Sequence, residues 1–511
     1  MKNLGLLSAL ALIGCAVAAP PGGYPLSITE YYRDAKLDHF SSGGNSGTFK
    51  MRYLVDAQYW NPQSGPILFY AGNEGDIMGF YQNSGFMTTV LAPQYEGLIV
   101  FGEHRYFGKS FPFDKSVAFD KDHNQYLTVE QTMMDYNELI HEIRYQYGAM
   151  DKPCIVFGGS YGGMLASWLR MKFPQTFQGA YASSAPILYF QGTPGFKESA
   201  FGDVITQDYA KANANCPKII QEGWGYINAI QKKLDPQELT DLSTIMNTCA
   251  PLKTSSDIDN LYNHLMNGFS YMAMTDYPYE TSFLNPMPGN PVQVACDQLK
   301  DIVYPPPSSD SVKDSKGLPD RQKTVLQGLL NAANIYFNYK PPFKCTNTSD
   351  VDGTGQLDGA GWDVLACNQL AMPTTNGASS MFNVNDPFDY KAYSADCLKK
   401  YGLTPRYQWV WDFFGGLNVD LDFHSHSNII FTNGDLDPWY TGGVTNPIKK
   451  NDKITVIFMT GSAHHLELRA PNDLDPVDVK NARTQIAAKI KEWCDEYFPP
   501  PPKPSAQQFI Q

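Results

Sequence analysis

The residue types that hydrolysis by a serine nucleophile requires occur in this sequence. The stretch GGSYGG at residues 158–163 contains the pattern G-x-S-x-G, which holds a serine on a strained turn with its hydroxyl exposed. Ser160 is therefore the candidate nucleophile, and the alternative is a glycine-rich loop with an incidental serine. A serine hydroxyl needs a histidine to accept its proton and a carboxylate to orient that histidine.

Candidates for the acid and the base occur late in the chain, in the order acid and then histidine that α/β-hydrolases use. Asp435 and Asp437 follow one predicted strand, and His464 and His465 follow the next. Spacing alone does not choose within either pair. One aspartate of the pair is free to cap a turn instead, and one histidine to act as a packed residue.

The elements around these residues predict the fold. Residues 154–157 (CIVF) favour a strand, and apolar residues at helical spacing follow Ser160 until Pro174. We predict further buried strands at 66–71, 98–101, 179–184, 428–432 and 454–458, and an edge strand at 52–55. Two helical stripes are predicted, one with Val129, Met133, Tyr136, Ile140, Ile143 and Tyr147, the other with Val479, Ala482, Ile486, Ile490, Trp493 and Tyr497. Strands that alternate with helices predict an α/β fold with a mostly parallel sheet.

Residues 193–414 differ from the rest of the chain. They lack strand-like runs, alternate helical patterns with Pro-rich loops, and contain most of the cysteines. We interpret them as a large, mainly helical, disulfide-bonded cap inserted between the nucleophile and the acid; one continuous large domain is the alternative. The predicted organisation is a signal peptide at 1–18, a core in two parts at 19–192 and 415–498, this cap, and a Pro-rich tail at 499–511.

Composition limits the classes of function. Lys and Arg total 39 against 52 Asp and Glu, a net charge of −13 without runs of like charge, which argues against nucleic-acid binding. The apolar run at residues 4–17 is too short to span a bilayer and precedes an A-x-A cleavage pattern, so we expect a secreted or lysosomal protein without a membrane span. No C-x-x-C occurs and adjacent histidines do not readily share one ion, so we expect no metal and no cofactor. Asn347 lies in an N-x-S sequon and is a candidate glycosylation site.

Seven ordered motifs carry a resemblance to a known family. They are KLDHF at 36–40, YAGNEGD at 70–76, EHRYFG at 103–108, GGSYGGM at 158–164, DYPY at 276–279, LDPW at 436–439 and GSAHHLELR at 461–469. The chain resembles the secreted and lysosomal serine peptidases that include lysosomal Pro-Xaa carboxypeptidase and dipeptidyl peptidase II. The resemblance implies an α/β-hydrolase core with a helical, disulfide-bonded cap. It matches Ser160 to the nucleophile, Asp437 to the acid and His464 to the base, and we expect the oxyanion to be bound by the backbone N–H groups of Tyr161 and Asn73.

The same resemblance implies other pairings and contacts. It implies the disulfides Cys216–Cys296, Cys249–Cys345 and Cys367–Cys397, which leaves Cys154 and Cys494 free. For a small apolar proline pocket, the candidates are Met164, Met372, Met381 and Trp439, with core packing as the alternative for each. Glu74 is a candidate for binding a substrate's terminal ammonium. Arg469 is a candidate for binding a terminal carboxylate or for supporting His464.

The expected function is that of a serine exopeptidase that cleaves on the carboxyl side of proline and releases a C-terminal residue. The cap segment 331–339 and the stretch 182–190 look more like the carboxypeptidase branch. Release of N-terminal Xaa-Pro dipeptides is the nearest alternative, and an esterase or lipase or an inactive hydrolase-fold binding protein are more distant ones. Expected partners are proline-containing peptides, and the oligomeric state is left open with a homodimer as one option.

Overall fold

The computed structural model describes residues 28–43, 47–306, 317–349, 357–382 and 387–497. The predicted signal peptide and all residues beyond 497, including the Pro-rich tail, lie outside these residues. Eight strands form one sheet: β1 (Thr29–Lys36), β2 (Thr48–Asp56), β3 (Ile67–Ala71), β4 (Leu98–Gly102), β5 (Cys154–Gly159), β6 (Gly179–Ser183), β7 (Ile429–Gly434) and β8 (Ile454–Met459).

The strand order in the sheet is β1-β2-β4-β3-β5-β6-β7-β8. The pairs β1–β2 and β2–β4 are antiparallel, and every pair from β4 through β8 is parallel. The prediction of an edge strand at 52–55 is wrong, because those residues lie in β2, which is paired on both sides. The edges are β1 and β8. The sequence of β1, TEYYRDAK, does not predict a strand because its four charged residues interrupt any apolar run.

The α-helices connect and cover these strands. Those between the first six strands and at the end of the chain are α1 (Ile77–Asn83), α2 (Ala92–Tyr95), α3 (Val129–Gln146), α4 (Tyr161–Lys172) and α15 (Val477–Tyr497). Those between β6 and β7 are α5 (Ala200–Ala212), α6 (Cys216–Lys233), α7 (Pro236–Ile245), α8 (Ser255–Met274), α9 (Pro291–Asp297), α10 (Asp320–Phe337), α11 (Gly359–Asn368), α12 (Tyr390–Tyr401), α13 (Trp409–Phe414) and α14 (Val419–Asp422).

Helices bury both faces of the sheet, as an all-apolar parallel strand requires. In β3, Ile67 and Phe69 pack in one core with α3 and α4, whereas Leu68 and Tyr70 pack in a second core with α1 and α15. Both predicted helical stripes lie in these cores, except that Tyr497 at the end of α15 is 38% exposed.

The insertion between β6 and β7 is helical in its described residues and is cross-linked. Its disulfides are Cys216–Cys296, Cys249–Cys345 and Cys367–Cys397, which are the pairs that the resemblance implies, and Cys154 and Cys494 are free thiols. A mostly parallel sheet with Ser160 after β5 and a helical insertion before β7 is an α/β-hydrolase core with a cap, so the predicted fold class is confirmed. The boundaries at residues 192 and 414 stay a prediction. Across the described ranges, no helix has both the length and the apolar character to cross a bilayer.

Candidate active site

Ser160 occupies the sharp turn between β5 and α4. Its backbone has φ 58° and ψ −125°, a conformation that a residue with a side chain rarely adopts. Glycine two positions before it permits the turn, because a Cβ on Gly158 would lie 2.0 Å from the carbonyl oxygen of Gly162. The backbone N–H of Ser160 donates to the carbonyl of Ser183 at the end of β6 (2.9 Å). The turn is therefore fixed by the neighbouring strand, and Ser160 stays partly exposed.

The loops after β7 and β8 bring Asp437 and His464 together. The Nδ1 atom of His464 lies 2.8 Å from Oδ2 of Asp437, and both side chains are buried. The other carboxylate oxygen of Asp437 accepts a hydrogen bond from the backbone N–H of Trp439 (3.0 Å). This arrangement makes Nδ1 the donor, so Nε2 is the nitrogen that can accept a proton.

The insertion holds the backbone of His464 in place. Its N–H donates to the carbonyl of Met274 at the end of α8 (3.0 Å), and its carbonyl accepts from the hydroxyl of Tyr277 (2.8 Å). Nε2 of His464 is buried and has no hydrogen-bond partner among the described residues, Ser160 included. Catalytic hydrogen bonds often form only when substrate is bound, so this geometry is compatible with a proton transfer from Ser160.

The structure distinguishes the two aspartates and the two histidines that sequence spacing alone could not distinguish. Asp435 accepts from the backbone N–H of Gly461 (2.6 Å) and lies 3.4 Å from Nζ of Lys211, away from both histidine rings. His465 is buried, its N–H donates to Oγ of Ser184 (2.8 Å), and burial holds its pKa well below the ordinary value. His465 is therefore neutral, and the pair that the structure joins is Asp437 with His464. The assignment of the triad stays a prediction that this geometry supports.

The two predicted oxyanion donors belong to the turn after β5 and to the loop after β3. Tyr161 is the first residue of α4, so its N–H has no partner within that helix. Asn73 follows β3, and a Cβ on Gly162 would lie 3.0 Å from its Oδ1, which shows how closely the two loops approach. His104 is buried and contacts the side chain of Tyr161, because its Nε2 lies 3.0 Å from the Tyr161 hydroxyl. Burial lowers the pKa of His104 to about 4, so this histidine is neutral.

A cavity of about 260 Å³ opens beside Ser160. Its walls come from both the core and the insertion, and they include four of the predicted substrate-binding residues: Glu74, Met164, Met372 and Trp439. Thioether and indole side chains give this wall the apolar character that a proline ring requires.

Two predicted substrate-binding residues lie outside this cavity. Met381 is 1% exposed and packs in the core of the insertion, while its neighbour Phe382 reaches the cavity wall. Arg469 is 5% exposed and donates to Asn83 Oδ1 (2.8 Å) and to the Tyr277 hydroxyl (3.0 Å). Through Tyr277, whose hydroxyl donates to the carbonyl of His464, Arg469 contacts the histidine loop, and its role stays a prediction.

The insertion contributes cavity residues that the sequence does not indicate. Phe201, Tyr271, Asp358 and Trp362 line the cavity, and none stands in a recognisable motif. Asp358 is brought to the site because its backbone N–H donates to the carbonyl of Glu74 (2.8 Å). That contact joins distant parts of the chain, so no local pattern could have signalled it.

Nowhere in the described ranges are three His, Cys, Asp or Glu side chains grouped to hold a metal ion.

Comparison with known proteins identifies the family. Residues 35–486 match the family described as "Serine carboxypeptidase S28". This chain belongs to the serine carboxypeptidase S28 family. The predictions of a serine-type peptidase and of this family resemblance are thereby confirmed.

Relatives match the S28 chain over most of its length. The lysosomal Pro-X carboxypeptidase of Homo sapiens is 39% identical over 503 residues, which cover 97% of this chain and 95% of that protein. The lysosomal Pro-X carboxypeptidase of Bos taurus is 39% identical over 469 residues, 91% of this chain and 88% of that protein. Prolyl carboxy peptidase like protein 5 of Caenorhabditis elegans is 31% identical over 477 residues, 91% of this chain and 90% of that protein.

Two residues of the motif EHRYFG at 103–108 of this S28 chain have structural roles away from the cavity. Arg105 makes a bidentate ion pair with Asp135 on α3 (2.7 and 2.8 Å), and both side chains are buried. Glu103 is fully buried and pairs with Arg52 of β2. Removing one partner of such a pair would leave an uncompensated buried charge, so these residues fix the loop after β4 rather than contact substrate.

Proposed function

We propose that this protein is a serine carboxypeptidase that cleaves peptides after proline and releases the C-terminal residue. The observation that carries the proposal is the position of Ser160, on a strained turn at the wall of a cavity lined by Met164, Met372 and Trp439. Two mammalian relatives named lysosomal Pro-X carboxypeptidase, each 39% identical to this chain, support the preference for proline.

The proposed reaction is a two-step acyl transfer through Ser160. Ser160 attacks the carbonyl carbon after proline while its proton passes to Nε2 of His464, and Asp437 keeps the imidazole in the required tautomer. The N–H groups of Tyr161 and Asn73 bind the oxyanion. His464 then returns the proton to the leaving amine, and water repeats the sequence to free the acyl group.

Release of N-terminal dipeptides is the second candidate, and one observation favours it. The charged side chains that line the cavity, within the described residues, are the acids Glu74 and Asp358. In their ionised forms they would attract an ammonium group and repel a carboxylate.

Peptides blocked at one end separate the two candidates. An N-acylated peptide ending in Pro-Phe is cleaved by a carboxypeptidase and resists a dipeptidyl peptidase, whereas a peptide with a free Xaa-Pro N-terminus and no proline before its last residue behaves in the opposite way. Mass analysis of the products identifies the bond cleaved. Release of phenylalanine from the acylated peptide is the expected result, and release of only an Xaa-Pro dipeptide from the other peptide contradicts the proposal.

We place the protein in the secretory pathway, in the lysosome or outside the cell. The apolar segment before Ala18 and the lysosomal relatives support this location. Asn347 is exposed, as glycosylation of its sequon requires. The homodimer remains a prediction for sedimentation analysis, and the domain division at residues 192 and 414 one for limited proteolysis.

A further inference from the structure

The charges in the cavity pose a problem for a carboxypeptidase. Its substrate ends in a carboxylate, which a site ordinarily binds with an Arg or Lys side chain. Among the described lining residues the cavity has neither, and Arg469, the predicted cation, lies outside it. The ionisable acids in the wall are Glu74 and Asp358. The group that binds the terminal carboxylate must therefore be a neutral donor or one of these acids in its protonated form.

Of the two acids in the cavity wall, Glu74 is the one whose charge interacts with that of His464. The leaving amine receives its proton from Nε2 of His464, and in a C-terminal residue the carboxylate is attached one carbon away from that amine. Glu74 shares the cavity with Ser160 and lies close enough to His464 for their charges to interact. No such interaction links Asp358 to His464: the described group that acts on the Asp358 charge is Lys115.

The surroundings of Glu74 favour its neutral form. Burial raises the pKa of the Glu74 carboxyl, while the Nδ2 amide of Asn73, which donates to Oε2 (3.0 Å), and His464 lower it to a smaller extent. Tyr70 and Tyr161 also face it, and burial keeps the pKa of both phenols above the ordinary value, so neither adds a charge. The Asp358 carboxyl, whose pKa burial also raises, completes the set.

We propose that Glu74, in its protonated form, binds the α-carboxylate of the substrate's C-terminal residue. The proposal rests on the carboxypeptidase function proposed above. The neutral carboxyl donates one O–H···O⁻ hydrogen bond to the substrate, a short, charge-assisted bond. When Glu74 loses its proton, two carboxylates would share the site, and their repulsion opposes binding. Recognition of a free C-terminus is thus lost as pH rises through the pKa of Glu74.

A pair of peptides measures this effect without interference from His464. One is an N-acylated peptide ending in Pro-Phe with a free C-terminus, and the other is the same peptide with a C-terminal amide. An amide can donate to ionised Glu74 or accept from neutral Glu74, so its binding is insensitive to that proton. The titration of His464 affects both peptides alike and cancels in the ratio of their kcat/KM values. The free-acid to amide ratio should fall roughly tenfold per pH unit above the pKa of Glu74.

Two substitutions assign the effect to one carboxyl. Glu74→Gln keeps a donor and cannot ionise, so its ratio should stay independent of pH and equal the low-pH ratio of the wild type. The matched control, Asp358→Asn, changes the other carboxyl of the cavity, and the pH-dependent fall in the ratio should persist. Circular dichroism verifies that each variant is folded, and the wild-type pH profile tests the proposal even if a variant does not fold.

The results of this experiment separate failure of the role of Glu74 from failure of the proposed carboxypeptidase function. A ratio that does not change with pH in the wild type, or that still falls in Glu74→Gln, overturns the role of Glu74. A flat ratio in Asp358→Asn assigns recognition to Asp358 and also overturns it. If neither acylated peptide is cleaved while a free Xaa-Pro N-terminus is, the carboxypeptidase function itself fails.

Discussion

His464 Nδ1 lies 2.8 Å from Asp437 Oδ2, and the opposite ring nitrogen of His464 is buried with no hydrogen-bond partner in the described part of the chain. This relationship fixes the direction in which the imidazole can accept a proton, because Nδ1 is committed as a donor to the carboxylate. Replacing Asp437 by Asn removes that acceptor charge and favours the wrong tautomer, so kcat should fall roughly 10⁴-fold with the fold intact.

Asp435→Asn is the matched control for that substitution. Asp435 stands two positions earlier and binds Gly461 and Lys211 rather than a histidine, so this variant should keep kcat within about tenfold of the wild type. Steady-state kinetics on both variants decide the assignment of the acid. Equal losses in the two, or the larger loss in Asp435→Asn, would show that Asp437 is not the orienting carboxylate.

Met372 and Met381 differ in position, and their substitutions should differ in effect. Met372→Ala enlarges the cavity wall and should raise KM for proline peptides roughly tenfold, through lost apolar contact. Met381→Ala creates a void in the core and should lower the free energy of unfolding by about 2–5 kcal/mol, with KM little changed. Kinetics and denaturant unfolding measure the two effects, and a KM increase confined to Met381→Ala would contradict the description of the pocket.

Arg469 should act on kcat and not on recognition of the C-terminus. Its guanidinium binds Asn83 and Tyr277, and Tyr277 in turn donates to the carbonyl of His464. Arg469→Met should therefore lower kcat for free-acid and amidated peptides by the same factor. A selective loss of the free-acid peptide would instead indicate that Arg469 binds the substrate carboxylate.

Asp208 on α5 should make stability depend on pH. Burial raises the pKa of its carboxyl to about 8, and Oδ2 of this side chain has no hydrogen-bond partner within the described residues. Besides Lys211 at 3.3 Å, the acids Asp276 and Asp435 face it and raise its pKa further. The folded pKa exceeds the ordinary value, so the stabilisation is complete below that ordinary value and is lost as pH rises through about 8.

Asp208→Asn cannot ionise and should remove this dependence. Relative to the variant, the wild-type free energy of unfolding should fall by up to about 1.4 kcal/mol per pH unit as pH increases towards the pKa of Asp208. Urea unfolding of both proteins at a series of pH values measures the difference. A difference that stays constant, or that changes in favour of the wild type at higher pH, would contradict the buried carboxyl's role.

Local sequence patterns predict the elements around Ser160, but they do not predict the long-range contacts that complete the site. The strand, glycine turn and helix around Ser160 are encoded by neighbouring residues, and so are the apolar stripes of α3 and α15. Choosing Asp437 over Asp435 required the resemblance, because both follow β7 within three residues and only tertiary structure decides which carboxylate reaches His464. Asp358 and Phe382 enter the cavity through folding of the insertion, which no local spacing encodes. The sequence leaves two roles open for each of Arg469 and Met381, because position in the chain does not indicate which way a side chain points.

The central claim is that the Ser160 hydroxyl is the nucleophile, and labelling by a fluorophosphonate probe tests it most directly. The wild type should be labelled on Ser160, as peptide mapping would show, and should release phenylalanine from an N-acylated peptide ending in Pro-Phe. Ser160→Ala should fold normally, take up no probe, and lose roughly 10⁴-fold or more of the kcat. Undiminished peptidase activity in Ser160→Ala, or probe attached to a different residue of the wild type, would contradict the account.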